Sequence, residues 1–289
     1  MRSYVERKID TDLGQISGIE WLPDTPSEYP VIIALHGWLD NAASFIPIAE
    51  HLSNFHIVAL DLPGHGHSSH FHHPDFYEVH DFVRRIMLAI DEMGIDQFYV
   101  MGHSLGAIIA SVWSLTDARI QYQIWLDAIG GLAREPDQSA NAMIDAIHAL
   151  NRMKPRKPTY GSFEDAVEAR QTGLLPVSLS AAILLCSRGL EHLESGRWTW
   201  RNDKALMLPT PLRLDEAGIH NLLSAIKIPV LLFVAEQGWL GKEPELLTNR
   251  LSSLSDVQTR YIDGGHHCHM DDTAQLIVNE IKKALLERS

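Results

Sequence analysis

A doubly wound α/β fold is predicted by this sequence, and three observations predict it. Short, nearly continuous apolar runs recur at residues 31–35, 56–60, 97–101, 123–126, 230–234 and 257–262, as expected of strands buried on both faces of a parallel sheet. Between them lie longer stretches with apolar residues three and four apart, the spacing of helices laid over such a sheet. Glycine-bearing turns follow four of the runs, with Gly37, Gly64, Gly102 and Gly264, at the strand ends where folds of this class place ligand chemistry.

Taken in order, residues 31–35 run into His36, Gly37, Trp38, Leu39, Asp40 and Asn41, and residues 56–60 run into the turn Asp61 to Ser68. Phe82, Ile86, Ala89, Ile90 and Met93 then mark one helix face and stop before Gly94, a residue free to take the left-handed backbone that ends helices. The run 97–101 leads through a tight turn into helix-compatible residues 107–113, and the run 123–126 ends at Asp127. From about Gly131 to His220 the alternation breaks. Helical patterns at 139–150, 163–172 and 178–190 are separated by Pro155, Pro158 and Pro176, and no central strand is evident. A helical insertion explains this, giving a core of residues 1–130 and 220–289 and a cap of residues 131–219. Two more strands and a helix over 274–286 close the chain.

Composition narrows the function classes. The 289 residues are 45% hydrophobic, enough to bury one large core with an insertion. With 24 Lys plus Arg against 37 Asp plus Glu, the formal net charge is −13, which repels a phosphate backbone. The densest cationic stretch, 152–157, is broken by Pro155 and reads as a solvated loop. No nucleic-acid partner is expected. Residues 1–12 alternate charged and apolar side chains with no apolar segment of a leader. Apolar runs such as 230–235 fall far short of the roughly 20 residues of a membrane span. Cys186 and Cys268 read as thiols of a reducing compartment, so a soluble cytoplasmic protein is expected.

The chemistry centres on Gly102, His103, Ser104, Leu105 and Gly106, which is Gly-x-Ser-x-Gly between a strand and a helix. Such a turn strains the serine backbone, leaves no room for side chains at the flanking glycines, and presents Ser104 at the helix N-terminus. The turn after residue 35 supplies the other half of an oxyanion hole, with the backbone amides of Trp38 and Leu105 as donors. His36 is expected to hold that loop by hydrogen bonds and Trp38 to wall the acyl pocket. After the last strand come Gly264, Gly265, His266, His267, Cys268, His269 and Met270. A serine nucleophile needs a base titrating near neutrality, and His266, directly after the glycines, is the expected one.

These motifs resemble the α/β-hydrolase superfamily with a helical cap. Within it, His36 to Ala42 together with Gly264 to Met270 is similar to the group called serine hydrolase-like proteins. The resemblance implies a Ser-acid-His triad, no cofactor, and ester or related acyl hydrolysis; a small-molecule ester cleaved through an acyl-enzyme is the expected substrate, and no metal is expected. Related epoxide hydrolases and haloalkane dehalogenases resemble it with an aspartate nucleophile; here position 104 is serine, against both chemistries.

Many relatives carry the acid a few residues after the strand at 230–234, where this chain has Ala235, Glu236, Gln237 and Gly238. The resemblance also allows an acid after the earlier strand. Asp127 is therefore the first candidate and Glu236 the alternative; Asp263 stands too near His266 in sequence to fold back under it. Five histidines, His65, His67, His70, His72 and His73, invite a metal reading, but no carboxylate or cysteine completes a spaced ligand set. Cys268 reads as a small loop thiol. In the insertion, Met143, Phe163, Leu174, Leu175, Trp198 and Trp200 are expected mostly to pack, with some lining the pocket.

Overall fold

The structure, a computed structural model, describes residues 2–23, 29–71, 75–153, 157–173 and 175–287. Its strands are β1 (Val5–Thr11), β2 (Gly14–Trp21), β3 (Val31–Leu35), β4 (Ile57–Leu60), β5 (Phe98–His103) and β6 (Ile120–Leu126), then β7 (Thr159–Tyr160), β8 (Leu190–His192), β9 (Trp198–Trp200), β10 (Val230–Ala235) and β11 (Val257–Ile262). The helices are α1 (Ile46–His51), α2 (Val79–Glu92), α3 (Leu105–Trp113), α4 (Ser139–Arg152), α5 (Phe163–Gln171), α6 (Leu179–Gly189), α7 (Glu216–Ala225), α8 (Pro244–Leu251) and α9 (Ala274–Leu286).

Eight strands form one sheet in the order β1-β2-β4-β3-β5-β6-β10-β11, parallel from β4 onward. Side chains alternate across it. Ile33, Leu35, Val58, Leu60 and Val100 pack with Phe82 and Ile86 of α2 and Trp113 of α3, while Ile32, Ala34, Ile57, Ala59 and Met101 face Ile277, Val278 and Ile281 of α9. Burial on both faces is why the sequence runs are continuous rather than alternating. The chain steps from β3 to β4 on one side and later to β5 on the other, so the loops after β3 and β5 diverge and leave a crevice between them.

Three expectations need correction. The hairpin of β1 and β2, turned through Gly14 at φ 110°, was not anticipated; most of β1 is exposed and carries charged residues, so it lacks a core signature. The inserted segment is not wholly helical, because β7, β9 and β8 form a small antiparallel sheet, with strands of two or three residues, too short to show a period. The expected boundary between residues 219 and 220 falls inside α7, whose Ile219 and Leu223 already belong to the core beneath the sheet.

The insertion leaves the sheet after β6 and returns at the adjacent β10, paired in parallel with it, so the sheet is uninterrupted. A buried ion pair ties the insertion down. Arg188 of α6 donates to both oxygens of Asp61, with Nη2–Oδ2 at 2.8 Å, and its Nη1 reaches Glu6 at 2.7 Å. Burial works to raise the Asp61 carboxyl, but Arg188 and the amides of Ala42 and His67 outweigh it and hold the group below its usual value.

Candidate active site

Ser104 sits between β5 and α3 at φ 50° and ψ −114°, a region costing a non-glycine residue about 1–3 kcal/mol. Its amide is fixed to the Leu126 carbonyl at 3.1 Å. The flanking glycines are obligatory: a Cβ on Gly102 would lie 2.4 Å from the Ala107 nitrogen, and one on Gly106 would lie 1.9 Å from the Leu35 carbonyl oxygen. Ser104 is therefore held half-buried at the start of a nine-residue helix, whose first amides have no acceptor within the helix.

Two buried imidazoles shape the loop after β3. His36 donates from Nδ1 to the Gly37 carbonyl at 2.7 Å and accepts the Leu62 amide at Nε2, 3.0 Å away. His65 donates from Nδ1 to the Pro63 carbonyl and accepts the Leu39 amide at Nε2, 3.1 Å away. An imidazole that donates once and accepts once is neutral. Burial lowers both groups, His65 to about 3. They act as loop ties, as expected for His36. Leu39 turns the loop at φ 64°. Trp38 is 38% exposed, and its indole nitrogen donates to the Leu206 carbonyl at 3.0 Å. The ring lines two cavities. One, of about 120 Å³, includes Leu105 and Phe82; the other, of about 520 Å³ and facing the insertion, includes Tyr160, Arg170, Leu175 and Trp200.

The three loop histidines have different surroundings. His266 Nδ1 donates to Asp127 Oδ2 at 2.7 Å. Asp127 is fully buried just past β6, at φ 50°, and accepts the amides of Ala235, Trp239 and Leu240 at 3.2, 2.8 and 3.3 Å. His266 is also held through its backbone, because His103, the residue before Ser104, donates from Nε2 to the His266 carbonyl at 2.9 Å. His267 pairs instead with Asp40 at 3.0 Å, and Asp40 is shared with Arg170 of α5 at 2.8 Å. His269 is completely buried beside the His103 ring. Glu236 and Asp263 are exposed.

The glycine at 238, where the resemblance leads one to expect an acid, has a steric explanation. A Cβ on Gly238 would lie 2.3 Å from Asp127 Oδ2, so the Asp127 carboxylate already fills the space a side chain there would take. The Arg170–Asp40–His267 and Arg188–Asp61–Glu6 links escaped the sequence reading. The signal for the first was a second histidine beside His266 needing its own buried acid; nothing local announced Arg188.

The remaining candidates fall elsewhere. Cys186 and Cys268 are free and buried, and burial pushes both thiols up to about 12, which leaves little thiolate for nucleophilic work. In the histidine-rich turn, His65 is fully engaged and His70 lies 3.8 Å from Asp203; His72 and His73 lie outside the described residues, as do Leu174 and residues 154–156 of the cationic stretch. Phe163, Trp198 and Trp200 pack on the small core of the insertion, while Leu175 and Trp200 also face the larger cavity. Among the described residues, Asp40, His103 and His267 could together hold a metal ion, and no helix is long and apolar enough to cross a membrane.

Residues 30–142 match the family model described as alpha/beta hydrolase fold. Serine hydrolase-like protein 2 of Homo sapiens is 33% identical over 92% of this chain and 90% of its own length. A serine hydrolase-like protein of Dictyostelium discoideum is 29% identical over 90% and 75%. Among solved structures, the hypothetical protein PA1622 of Pseudomonas aeruginosa superposes with a TM-score of 0.89 at 37% identity, covering 98% of this chain and 99% of its own. The chain thus belongs to the serine hydrolase-like proteins of the α/β-hydrolase superfamily.

Proposed function

We propose that the chain hydrolyses carboxylic esters through an acyl-enzyme on Ser104. His266 takes the Ser104 proton as the hydroxyl oxygen attacks the carbonyl carbon, then returns that proton to the departing alcohol. Asp127 holds His266 in the tautomer with Nδ1 protonated, leaving Nε2 to act as base, and stabilises the imidazolium as it forms. The Trp38 and Leu105 amides meet the charge developing on the carbonyl oxygen. Water, activated by the same imidazole, then cleaves the acyl-enzyme to release the acid and restore the serine. The inserted segment acts as a cap over a small organic ester.

The observation that carries this reading is the 2.7 Å bond between His266 and a buried Asp127, on a histidine anchored to the residue beside the nucleophile. Carbon-carbon or lactone hydrolysis would use the same groups. The alternative of a hydrolase-fold binding protein without catalysis rests on the glycine at 238, and the Asp127 carboxylate beside that position supports the enzyme reading over it. The test is labelling of the folded protein by a fluorophosphonate, with turnover of p-nitrophenyl esters. Labelling and turnover should both vanish in Ser104→Ala, with stability within about 2 kcal/mol of the parent. An unlabelled parent beside a labelled control hydrolase would sink the proposal.

A further inference from the structure

Behind the base lies a second cluster that ester hydrolysis does not use. His103 is 1% exposed, and because its Nε2 faces a carbonyl oxygen, the ring hydrogen is there and Nδ1 is a bare lone pair. No protein group among the described residues hydrogen-bonds that Nδ1, nor Nδ1 of His267, nor either nitrogen of His269. His103 Nδ1 and Asp40 Oδ2 face the same small space, since a Cβ on Gly37 would lie 2.8 Å from the first and 3.2 Å from the second. The two acceptors thus face one space, where Asp40 Oδ2 is met by His267 Nε2 at 3.0 Å and the His103 lone pair by no donor. A second proton on His103 is disfavoured by burial and by the neighbouring imidazoles of His269, His266 and His267.

We propose that Asp40, His103 and His267 form a binding site for a borderline divalent transition-metal ion such as Zn²⁺ or Co²⁺, for which the Arg170 guanidinium acts as a tethered competitor. Donor atoms of the three residues lie within 4.8 Å of one another. Asp40 Oδ2 and His267 Nε2 already stand 3.0 Å apart, near the roughly 3.3 Å between ligands each about 2.0–2.1 Å from a tetrahedral ion, so a shift of the His103 imidazole completes the site. Two nitrogens and one carboxylate oxygen suit zinc and its neighbours; magnesium and calcium need six or more oxygens. Arg170 Nη2 lies 2.8 Å from Asp40 Oδ1 and 3.3 Å from His267 Nε2, so it already supplies positive charge between two of the ligands. An ion that takes Asp40 and His267 must send Arg170 outward, toward the larger cavity whose wall it forms. The bond from His103 to the His266 carbonyl links the site to the base, so bound metal should slow ester turnover.

The experiment is a Co²⁺ titration of the full chain, read by visible absorption, with Zn²⁺ displacement; it stands whether or not the ester reading does. A tetrahedral spectrum saturating at one ion per chain is expected. His267→Gln should abolish it, and the triple variant His70→Gln, His72→Gln, His73→Gln should keep it. Arg170→Gln should bind at least about tenfold more tightly, because a like charge within a few ångströms of the ion is gone. This opposite sign keeps the proposal open to refutation even where His267→Gln fails to fold. Absence of saturable binding, its loss in the triple variant, its persistence in a folded His267→Gln, or unchanged or weaker binding in Arg170→Gln would each overturn the assignment.

Discussion

Gly238→Ala adds one methyl group, and its consequence can be worked through from the site. The new Cβ would stand 2.3 Å from Asp127 Oδ2, 2.8 Å from its Cγ and 2.7 Å from the Ala235 Cβ. Real Cβ contacts essentially never fall below 3.0 Å, so the carboxylate must retreat by at least 3.0 − 2.3 = 0.7 Å. The same Oδ2 accepts from His266 at 2.7 Å and from the Trp239 amide at 2.8 Å. Both are charge-assisted bonds, worth about 1.5–3 kcal/mol each. Losing the orientation of the imidazole while keeping a nearby negative charge should raise the activation barrier by about 2–4 kcal/mol, or roughly 30- to 1000-fold in rate. Overpacking should cost about 1–3 kcal/mol of stability.

The assay is steady-state hydrolysis of p-nitrophenyl acetate beside urea unfolding. The loss should fall on kcat, with KM little changed, because the contact acts on the base and not on the ester. Asp127→Asn, which removes the charge and the required tautomer partner, should lose more, approaching about 10⁴-fold by analogy with serine triads. The pair Asp127→Gly and Gly238→Asp moves the carboxylate across and removes its overlap with Asp127, leaving only the 2.7 Å approach to the Ala235 Cβ to relax, and glycine suits the φ of 50° at position 127. It should recover at least about tenfold over Asp127→Gly alone. A folded Gly238→Ala protein with the parent kcat would refute the reasoning, since Asp127 would then be dispensable where the space is contested.

Trp38→Ala should join the two cavities that share the indole and shift preference toward longer acyl chains, read as kcat/KM across a p-nitrophenyl ester series; an unchanged profile would return Trp38 to a packing role. Arg188→Met should destabilise by about 3–5 kcal/mol, because Asp61 is left charged and buried, and Asp61→Asn in the same chain should restore part of the loss in urea unfolding. His36, His65, His103 and His269 all have lowered pKa values, burial being the largest cause in each. The unfolded chain therefore takes up their protons first as pH falls below about 6.5. Stability present above that pH is lost toward the folded values, by up to about 1.4 kcal/mol per pH unit for each group, so a urea midpoint that rises between about pH 7 and about pH 5 would contradict these assignments.

The parallel strands were legible because each is covered on both faces, so β3 and β11 appear in the sequence at their observed limits. The turn around Ser104 was legible because its constraints are local: a Cβ at either glycine meets backbone within a few residues or on the adjacent strand. What escaped is long-range or marginal. The β1–β2 hairpin lies at an edge and presents charged side chains outward. The small sheet of the insertion is too short for a period to emerge. Arg170 reaches Asp40 across 130 residues and Arg188 reaches Asp61 across 127, and no spacing rule connects residues so far apart.

On the proposed reading the acid comes from β6, and the motif after β10 fails while the geometry behind it holds. Strands β6 and β10 are parallel neighbours, with Leu126 opposite Phe233. One residue farther along, Asp127 comes level with the end of β10, and its own amide bonds the Phe233 carbonyl at 2.9 Å. Its carboxylate then accepts the amides of Ala235, Trp239 and Leu240, in the segment that follows β10. A carboxylate arriving from β6 therefore meets backbone donors supplied by the neighbouring loop, and a side chain at 238 becomes impossible for the same reason. The glycine at 238 and the Asp127 carboxylate are one arrangement: a Cβ at 238 would meet Asp127 Oδ2 at 2.3 Å and the Ala235 Cβ at 2.7 Å.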